Sequence, residues 1–513
     1  LAAVLTLVAS CARVPVSVPP AAPHLRPQPT ALECRQLFAE IDRAVAHAKV
    51  TDGQAATIRG FPYLRGDRFL ASFRDEVHDD SAFNAWVDRL QRLDEQGRAI
   101  ELANMPAKAL TALRQVLPAT FANVSALMNV VQQCGQLLRR AQLTDAEKRH
   151  ELRAAVHVPP EYVAWKRAVG LYFLTANAAS AGIANWHANV QQVYAQRLRA
   201  LKVHGQLVRF EPPAQSSRLS AEVVKEILAR ATKKPLGIPA PSGADREQLF
   251  SAFAPIFQVD VITDDDRIGA PFWSSRKDDR PSIDIMRPTV YRHLSHTRFN
   301  NEVLLQLNYI VWFPARPRTS KWDYLGGYVD GIMWRVTLSR DGTPLVFDSA
   351  HNCGCFHMFF PSPRLNLRPV PNTPDDEPQE PALVPQRAPS LLSGQGPTLR
   401  VAHRTHYIER VTARPIDQGI AVTYRWAEYD SLRSLPVTDS RRSLFRPDGI
   451  VPGTKRGERF FYWPLGVPHP GEMRQWGHHA TAFVGRRHFD EPYLMQRTFE
   501  LMDTQVSTTP LPR

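Results

Sequence analysis

The sequence predicts an α+β protein with a helical first half and a second half built mainly from antiparallel strands. Residues 31–232 carry apolar side chains at helical spacing. After residue 250 the period becomes that of strands, with β-prone runs on either side of turn sequences. Residues 233–245 combine charge, Pro and Gly without periodicity and are predicted to be a linker. We therefore predict a helical domain over 31–232 and a β-rich domain over 246–513.

The helical half contains several amphipathic segments. Its first segment, residues 31–49, places Leu37, Phe38, Ile41 and Val45 on one side of a helix. The same pattern recurs further along the chain, and the simplest interpretation of these stripes is a core. The histidines of this half, His204 among them, occur singly and are predicted to be structural or solvent-facing.

Two hairpins are predicted in the second half. Residues 290–299 and 303–313 flank Asn300-Asn301, and residues 332–339 and 345–349 flank an Asp-Gly turn. The run 309–313 is almost continuously apolar and β-prone, which predicts a central strand. By contrast, residues 361–399 include ten prolines and are predicted to form a long surface loop.

The N-terminus indicates a destination. Residues 1–10 are an apolar run ending in small residues, which is typical of the end of a secretory signal peptide that has lost its beginning. The Val8-Ala9-Ser10-Cys11 stretch resembles the lipobox of bacterial lipoprotein precursors. The resemblance implies lipidation of Cys11 and, because Ala12 is not Asp, an outer-membrane location facing the periplasm. Residues 12–30, rich in Pro, Val and Ala, are predicted to be a tether.

Composition and charge limit the partners. The formal net charge is +13 and the sequence pI is about 9.7, but Lys and Arg are dispersed with no block of five. This pattern predicts a solvated basic surface attracted to anionic envelope components, and no nucleic-acid groove. The expected partners are the membrane, through the lipid anchor, and anionic envelope surfaces.

The five cysteines divide into three groups. Cys11 is assigned to lipidation, while Cys34 and Cys134 both fall on predicted helices. Since disulfides persist outside the cytoplasm, a Cys34–Cys134 disulfide is a candidate, with two separate buried thiols as the alternative.

The remaining two cysteines belong to the densest cluster of reactive side chains in the chain. His351, Cys353, Cys355 and His357 alternate within seven residues, which places all four on one face of a strand. A straight strand would spread them over roughly 20 Å, too far for one metal ion. All four could ligate one ion only if the backbone bends at Gly354.

His406 is the first choice for a ligand from elsewhere, and His478, His479 and His488 are weaker candidates. The nearby Asp330 is expected to cap a turn, although it could reach a site at the strand ends.

Three interpretations of the cluster remain open. In the first, two to four of the residues His351, Cys353, Cys355 and His357 bind Zn²⁺ or another transition metal, which could activate water for hydrolysis. In the second, Cys353 or Cys355 is a nucleophile, with His406 or a histidine of the cluster as its base. In the third, the cluster is structural.

The sequence thus predicts a cell-envelope lipoprotein whose activity is uncertain. It is either a metal-dependent or Cys/His enzyme acting on an envelope component, or a non-catalytic structural or binding lipoprotein.

Overall fold

A computed structural model describes residues 29–117, 121–213, 219–369, 379–391, 396–413 and 418–502. Cys11 and the predicted tether, except for its last two residues, lie outside these ranges. Among the helices described, none is both long enough and apolar enough to cross a bilayer.

The helices cluster in the first half of the chain, as predicted. They are α1 (Ala31–Ala48), α2 (Arg68–Ala71), α3 (Asp80–Asn104), α4 (Ala107–Val116), α5 (Val124–Gln142), α6 (Ala146–Ala155), α7 (Ala164–Val169), α8 (Tyr172–Ala195), α9 (Ala221–Ala231), α10 (Gly243–Ala252) and α11 (Leu494–Thr498).

The strands lie mostly in the second half, and the predicted α+β class is confirmed. They are β1 (Ala56–Ile58), β2 (Phe61–Gly66), β3 (Gln206–Glu211), β4 (Thr232–Lys233), β5 (Ile238–Pro239), β6 (Ile256–Val261), β7 (Ala270–Phe272), β8 (Ser282–Asp284), β9 (Thr289–Phe299), β10 (Glu302–Arg316), β11 (Gly327–Leu338), β12 (Pro344–His351), β13 (Met358–Pro361), β14 (Leu365–Leu367), β15 (Thr398–Val401), β16 (Ile408–Thr412), β17 (Ile420–Thr423), β18 (Arg425–Glu428), β19 (Leu435–Val437), β20 (Ser440–Arg442) and β21 (Phe499–Leu501).

Helix α1 illustrates how the helical half is held together. Thr30 and Glu33 form a reciprocal capping box that satisfies the first free amides of the helix. Its apolar face, including Phe38 and Ile41, is buried against the other helices and the β1–β2 hairpin. Cys34 on this face is joined by a disulfide to Cys134 of α5, the pairing that the sequence offered as a candidate.

A buried ionic network fastens β2 to α3. The guanidinium of Arg65 donates two hydrogen bonds to Glu101, at 2.9 and 2.8 Å, and a third to Asp94 at 3.2 Å. All three side chains are almost completely buried. Gly97 leaves room for the guanidinium, since a Cβ at this position would lie 2.6 Å from Arg65 Nη1.

A six-stranded sheet dominates the second half, in the order β13-β12-β11-β10-β9-β18. All its pairs are antiparallel except β18 with β9. Asn300 and Asn301 form the β9–β10 turn with φ of 50° and 61°, a conformation that Asn tolerates better than most residues. The predicted hairpins and the central position of the 309–313 run are confirmed.

Strand β10 is almost continuously apolar over residues 309–313 because both of its faces are covered there. Tyr309, Val311 and Phe313 pack toward one core, which contains α9, α10 and a second sheet. Ile310 and Trp312 pack toward another core, formed with residues from the last part of the chain. A strand buried on both faces has no need for alternating polar residues.

The second sheet differs from the predicted organisation. Its order is β16-β15-β6-β3-β17, so β3, from within the predicted helical domain, pairs with strands of the β-rich part. The predicted linker 233–245 holds the β4–β5 pair and the start of α10. The described parts of 361–399 also pack on the body: β14 pairs with β21, and Leu383 is buried. Proline excludes helix there but leaves neighbouring residues free to make extended pairs.

Loss of the disulfide should destabilise the helical half. Because it closes a loop between residues 100 apart, the Cys34→Ala/Cys134→Ala variant should lose about 2–5 kcal/mol of unfolding free energy. Urea unfolding with and without dithiothreitol measures this loss. The reductant should shift the wild type and leave the variant unchanged; a wild type insensitive to complete reduction would contradict the prediction.

The partly buried His296 should make the free energy of unfolding fall as the solution becomes more acidic. Its Nε2 donates to the carbonyl of Pro239 at 2.7 Å, and its ring stacks on Phe69. Burial lowers its pKa to about 4, whereas an unfolded histidine has a pKa near 6.5. Between these values the unfolded state binds more protons, so the unfolding free energy decreases as pH falls, by up to about 1.4 kcal/mol per pH unit.

The variant His296→Gln keeps a donor and removes this titration. Its unfolding free energy, measured in urea across the same pH window, should therefore depend less steeply on pH than that of the wild type. Equal slopes for the two proteins would show that His296 is not the group responsible.

Candidate functional site

The cluster at 351–357 forms a turn between β12 and β13. The amide of His351 donates to the carbonyl of Cys355 at 3.0 Å, and the amide of Gly354 donates to that of His351 at 2.7 Å. Gly354 has a φ of 94°, and a Cβ there would lie 2.3 Å from the carbonyl oxygen of Ala480. The backbone therefore bends where the sequence suggested, and the four side chains do not share a strand face.

The bend separates the two histidines. His351 Nδ1 lies 3.5 Å from an oxygen of Asp330, whereas His357 Nε2 lies 2.9 Å from an oxygen of Asp348, which also accepts from Arg335. In the described part of the chain, no three ligand atoms that include any residue of this cluster come within 4.8 Å of one another. The predicted four-ligand site is therefore not assembled in this geometry.

The two thiols contact each other and no base. Cys353 and Cys355 are buried and not oxidised, and the amide of Cys355 donates to Cys353 Sγ at 3.4 Å. The interaction with Cys353 and burial raise the pKa of the Cys355 thiol well above its usual value. Among described residues, no histidine is hydrogen-bonded to either sulfur. A nucleophilic cysteine needs a lowered pKa, so this geometry does not favour the Cys/His mechanism.

His406 lies in a fully buried network. Its Nδ1 is 2.7 Å from Asp330 Oδ2, and its Nε2 is 3.5 Å from Asp266 Oδ1. Its ring stacks on Phe313, with centroids 3.9 Å apart. Burial opposes the charged imidazole, but the interactions with Asp266 and Asp330 outweigh it and raise the pKa of His406. Asp330 lies within β11, not in a turn, and joins His406 to His351.

The loop that carries His406 also carries His403. Residues 402–407 connect β15 to β16, and the amide of Ala402 donates to the carbonyl of Tyr407 at 2.9 Å. Arg404 and His406 have φ of 59° and 53°, in the left-handed region that residues with a side chain rarely adopt. Such strain persists only where surrounding contacts enforce it, and it clusters at functional sites.

His403 belongs to the described group of residues that could hold a metal ion, together with His204 and Asp260. Asp260 Oδ2 lies 3.3 Å from His204 Nδ1 and 3.7 Å from His403 Nδ1. The three residues come from adjacent strands of the second sheet: Asp260 from β6, His204 before β3 and His403 after β15. We call this group the triad.

The triad combines a buried carboxylate with accessible imidazoles. The Asp260 side chain is 2% exposed, whereas those of His204 and His403 are 38% and 26% exposed. The amides of His204 and Gly205 donate to the carboxylate at 2.8 and 2.9 Å. Burial raises the pKa of Asp260, but these amides and the nearby Arg400 outweigh it and lower the pKa below its usual value.

The donor atoms fit a metal ion in type and spacing. Bonds of about 2.0–2.2 Å place neighbouring ligand atoms roughly 3.0–3.5 Å apart, close to the measured separations. Burial lowers the pKa of His403 and so favours the neutral imidazole that binds metals. The triad could therefore hold a metal ion. The sequence did not predict this group, because His204 occurs singly in the helical half and its partners lie far along the chain.

Two further charged side chains flank the triad. Arg400 lies 4.0 Å from Asp260 and 3.9 Å from Glu409 and is almost fully buried. Its two terminal nitrogens have no hydrogen-bond partner among the described residues. Burial raises the pKa of Glu409. This neighbourhood offers an incompletely satisfied cation beside the carboxylate of the triad.

A cleft of about 520 Å³ lies elsewhere, between α3, β9 and the 476–478 segment. Arg89, His293, Trp476 and His478 contribute to its lining, and burial raises the pKa of Asp67 in its wall to about 6. No triad residue lines this cleft. The partial exposure of His204 and His403 instead places the triad at the protein surface.

Comparison of the chain with protein-family models, with curated proteins and with solved structures finds no match. The fold and the site define an α+β protein with a candidate metal centre of two histidines and one carboxylate.

Removing the carboxylate that joins His351 to His406 should lower the free energy of unfolding substantially. The Asp330→Asn variant removes the ionic partner of the buried His351 and leaves the buried His406 with Asp266 alone, and we expect it to lose about 3–5 kcal/mol of unfolding free energy. The control Asp264→Asn removes an exposed carboxylate near Asp266 and should cost less than about 1 kcal/mol. Urea unfolding measures both, and similar small losses would contradict the proposed importance of Asp330.

Proposed function

We propose that this protein is a metal-dependent enzyme of the cell envelope, with a divalent transition metal held by His204, Asp260 and His403. The observation that carries the proposal is the convergence of two imidazoles and a buried, ionised carboxylate from three adjacent strands. The metal site is proposed at the triad in place of the His351–His357 turn, where the ligand atoms diverge.

The number of ligands supports a catalytic role over a structural one. Structural zinc sites are closed by four protein ligands, whereas catalytic sites use three and leave a position for water or substrate. The partial exposure of His204 and His403 leaves such a position accessible. A zinc ion bound there would lower the pKa of its water toward neutrality and supply a nucleophile for hydrolysis. The same donor set also suits Fe²⁺.

Two features support an envelope location. The N-terminal sequence resembles a lipobox at Cys11, which implies attachment to the outer membrane by a lipid. Independently, the Cys34–Cys134 disulfide suits an oxidising compartment such as the periplasm. An envelope component is accordingly the proposed substrate class.

The competing proposal is a non-catalytic structural or binding lipoprotein that contacts anionic envelope surfaces. It is supported by the net charge of +13 and requires no metal. The two proposals differ in whether the protein purifies with a metal and whether the triad is needed for turnover.

Elemental analysis of protein purified from the periplasm without added metal tests the centre. We expect a near-stoichiometric transition metal, lost in His403→Ala and in Asp260→Asn. The control His150→Ala removes an exposed histidine of α6 and should retain the metal. Absence of metal from the wild type, confirmed by failure to bind added Zn²⁺ or Fe²⁺, would remove the proposal.

The same measurement on Cys353→Ser and His357→Gln separates the two candidate centres. Both variants should retain the metal if the triad is the centre. Loss of metal in these variants, with retention in His403→Ala, would assign it to the 351–357 turn.

Hydrolysis of chromogenic esters and phosphate esters by the metal-loaded protein tests the activity. Any turnover that belongs to the triad should disappear with a chelator, return with added metal, and be absent from His403→Ala. Turnover that survives in that variant would not belong to this site.

A further inference from the structure

Many large apolar side chains lie exposed on three contacting segments, residues 163–174, 318–328 and 455–463. We call this the aromatic face. The most exposed members are Trp322, at 78%, and Phe173, at 68%. The others are Trp165, Val169, Leu171, Leu174, Tyr324, Tyr328, Phe460, Phe461 and Trp463.

Direct contacts make these three segments one surface. The amide of Val163 donates to the carbonyl of Gly466 at 2.7 Å, which joins α7 to the chain following Trp463. The amide of Glu458 donates to the carbonyl of Tyr324 at 3.2 Å, and the rings of Tyr324 and Phe461 are 5.4 Å apart. The segments that carry the exposed aromatic residues are therefore in contact with one another.

Helix α8, which begins on the aromatic face, is also unlike a helix that faces water. Over its 24 residues it contains no Asp, Glu, Lys or Arg. Yet Ala176 and Tyr194 are its only buried residues. Exposed helices of soluble proteins normally carry charged residues on their outer face. The exposed aromatic side chains and the uncharged, exposed helix α8 both indicate that something other than water covers this surface.

The charges around the aromatic face identify its partner. Within the three segments, Arg318, Lys321, Lys455 and Arg459 are exposed. The acidic residues of the same segments are Asp323, which is half-buried, and Glu458, which is buried. Within these three segments the exposed charges are therefore all positive.

Two of these cations lie over exposed rings. The ammonium of Lys321 is 5.6 Å from the Trp322 ring centroid, and the guanidinium of Arg459 is 4.5 Å from that of Phe460. Aromatic rings at headgroup depth with Lys and Arg beside them are characteristic of surfaces that bind the water–bilayer interface. A protein partner would not require an exclusively positive rim.

We propose that the aromatic face lies on a lipid bilayer that contains anionic lipid. Its aromatic side chains enter the headgroup region, while Arg318, Lys321, Lys455 and Arg459 contact anionic headgroups. This inference rests on exposed side chains and depends neither on the metal centre nor on lipidation of Cys11.

Vesicle co-sedimentation of the full chain tests the proposal. All proteins carry Cys11→Ser, so that no lipid anchor contributes and any binding by the remaining N-terminal residues is common to them. The probes are vesicles of phosphatidylcholine alone and of phosphatidylcholine mixed with phosphatidylglycerol. The parent protein should bind the anionic vesicles more tightly, and added salt should weaken that binding.

Two variants alter the aromatic face. The first, Phe460→Ser/Phe461→Ser, removes exposed rings, and the second, Lys321→Glu/Lys455→Glu/Arg459→Glu, reverses exposed charges. Each should reduce partitioning to anionic vesicles at least about tenfold. The matched control Arg35→Glu/Lys108→Glu/Lys225→Glu reverses three exposed charges elsewhere and should lower it less than about threefold. Thermal unfolding verifies that every variant is folded.

The proposal would be overturned if both variants bound anionic vesicles as tightly as the parent protein. It would also be overturned if the charge control lost as much binding as the charge variant, since net charge alone would then explain the attraction. Sedimentation velocity tests whether the surface instead binds a second copy of the chain. That partner would be assigned if the parent protein were a dimer that did not bind vesicles and that dissociated in Phe460→Ser/Phe461→Ser.

Discussion

The burial of β10 on both faces is the constraint on which the rest of this structure depends. Because its side chains contact two cores, the neighbouring strands β9 and β11 are held in register on either side of it. Strand β11 carries Asp330, and the next strand, β12, carries Asp348. Phe313 of β10 stacks on His406, so the position of the buried histidine network follows directly from the packing of this one strand.

That packing explains why the histidines at 351 and 357 are already paired with buried carboxylates. A buried carboxylate is expensive unless it is paired, and Asp330 and Asp348 are both almost inaccessible to solvent. For Asp348, burial raises the pKa, but the charge of Arg335 and the contact with His357 lower it. His351 and His406 do the same for Asp330. In the described part of the chain, the ligand atoms of these side chains do not converge in groups of three, which leaves them poor candidates for a shared metal ion.

Local signals predicted much of the fold but little of the site. Asn300-Asn301 and Asp341-Gly342 mark turns whose geometry depends on adjacent residues, so both hairpins could be predicted. The division into a helical half and a β-rich half could also be predicted, because the spacing of apolar residues differs between the two. Strand β3 could not be predicted in this way, because only six residues carry it and its partners β6 and β17 lie far along the chain. Sequence-local reasoning assigned it to the helical half.

The site illustrates the same limit more sharply. The alternating ligands at 351–357 predict a metal site because they are close in sequence. Alternation, however, places side chains on a common face only while a strand stays straight. His204 and Asp260 are 56 residues apart, and His403 lies still further along. Only the order β15-β6-β3 within the second sheet brings them together. A single sequence carries no local signal for such a group.

The loop between β15 and β16 links the triad to the buried network in a way that bears on metal binding. It is closed by the Ala402–Tyr407 hydrogen bond, and Arg404 donates its amide to Asp266, which also contacts His406. His403 is therefore attached to a backbone whose left-handed residues are held by buried contacts. A ligand fixed before the ion arrives loses little conformational freedom on binding, which strengthens affinity for a given donor set. The buried histidines would then serve the metal centre without touching it, by holding in place the loop that presents His403.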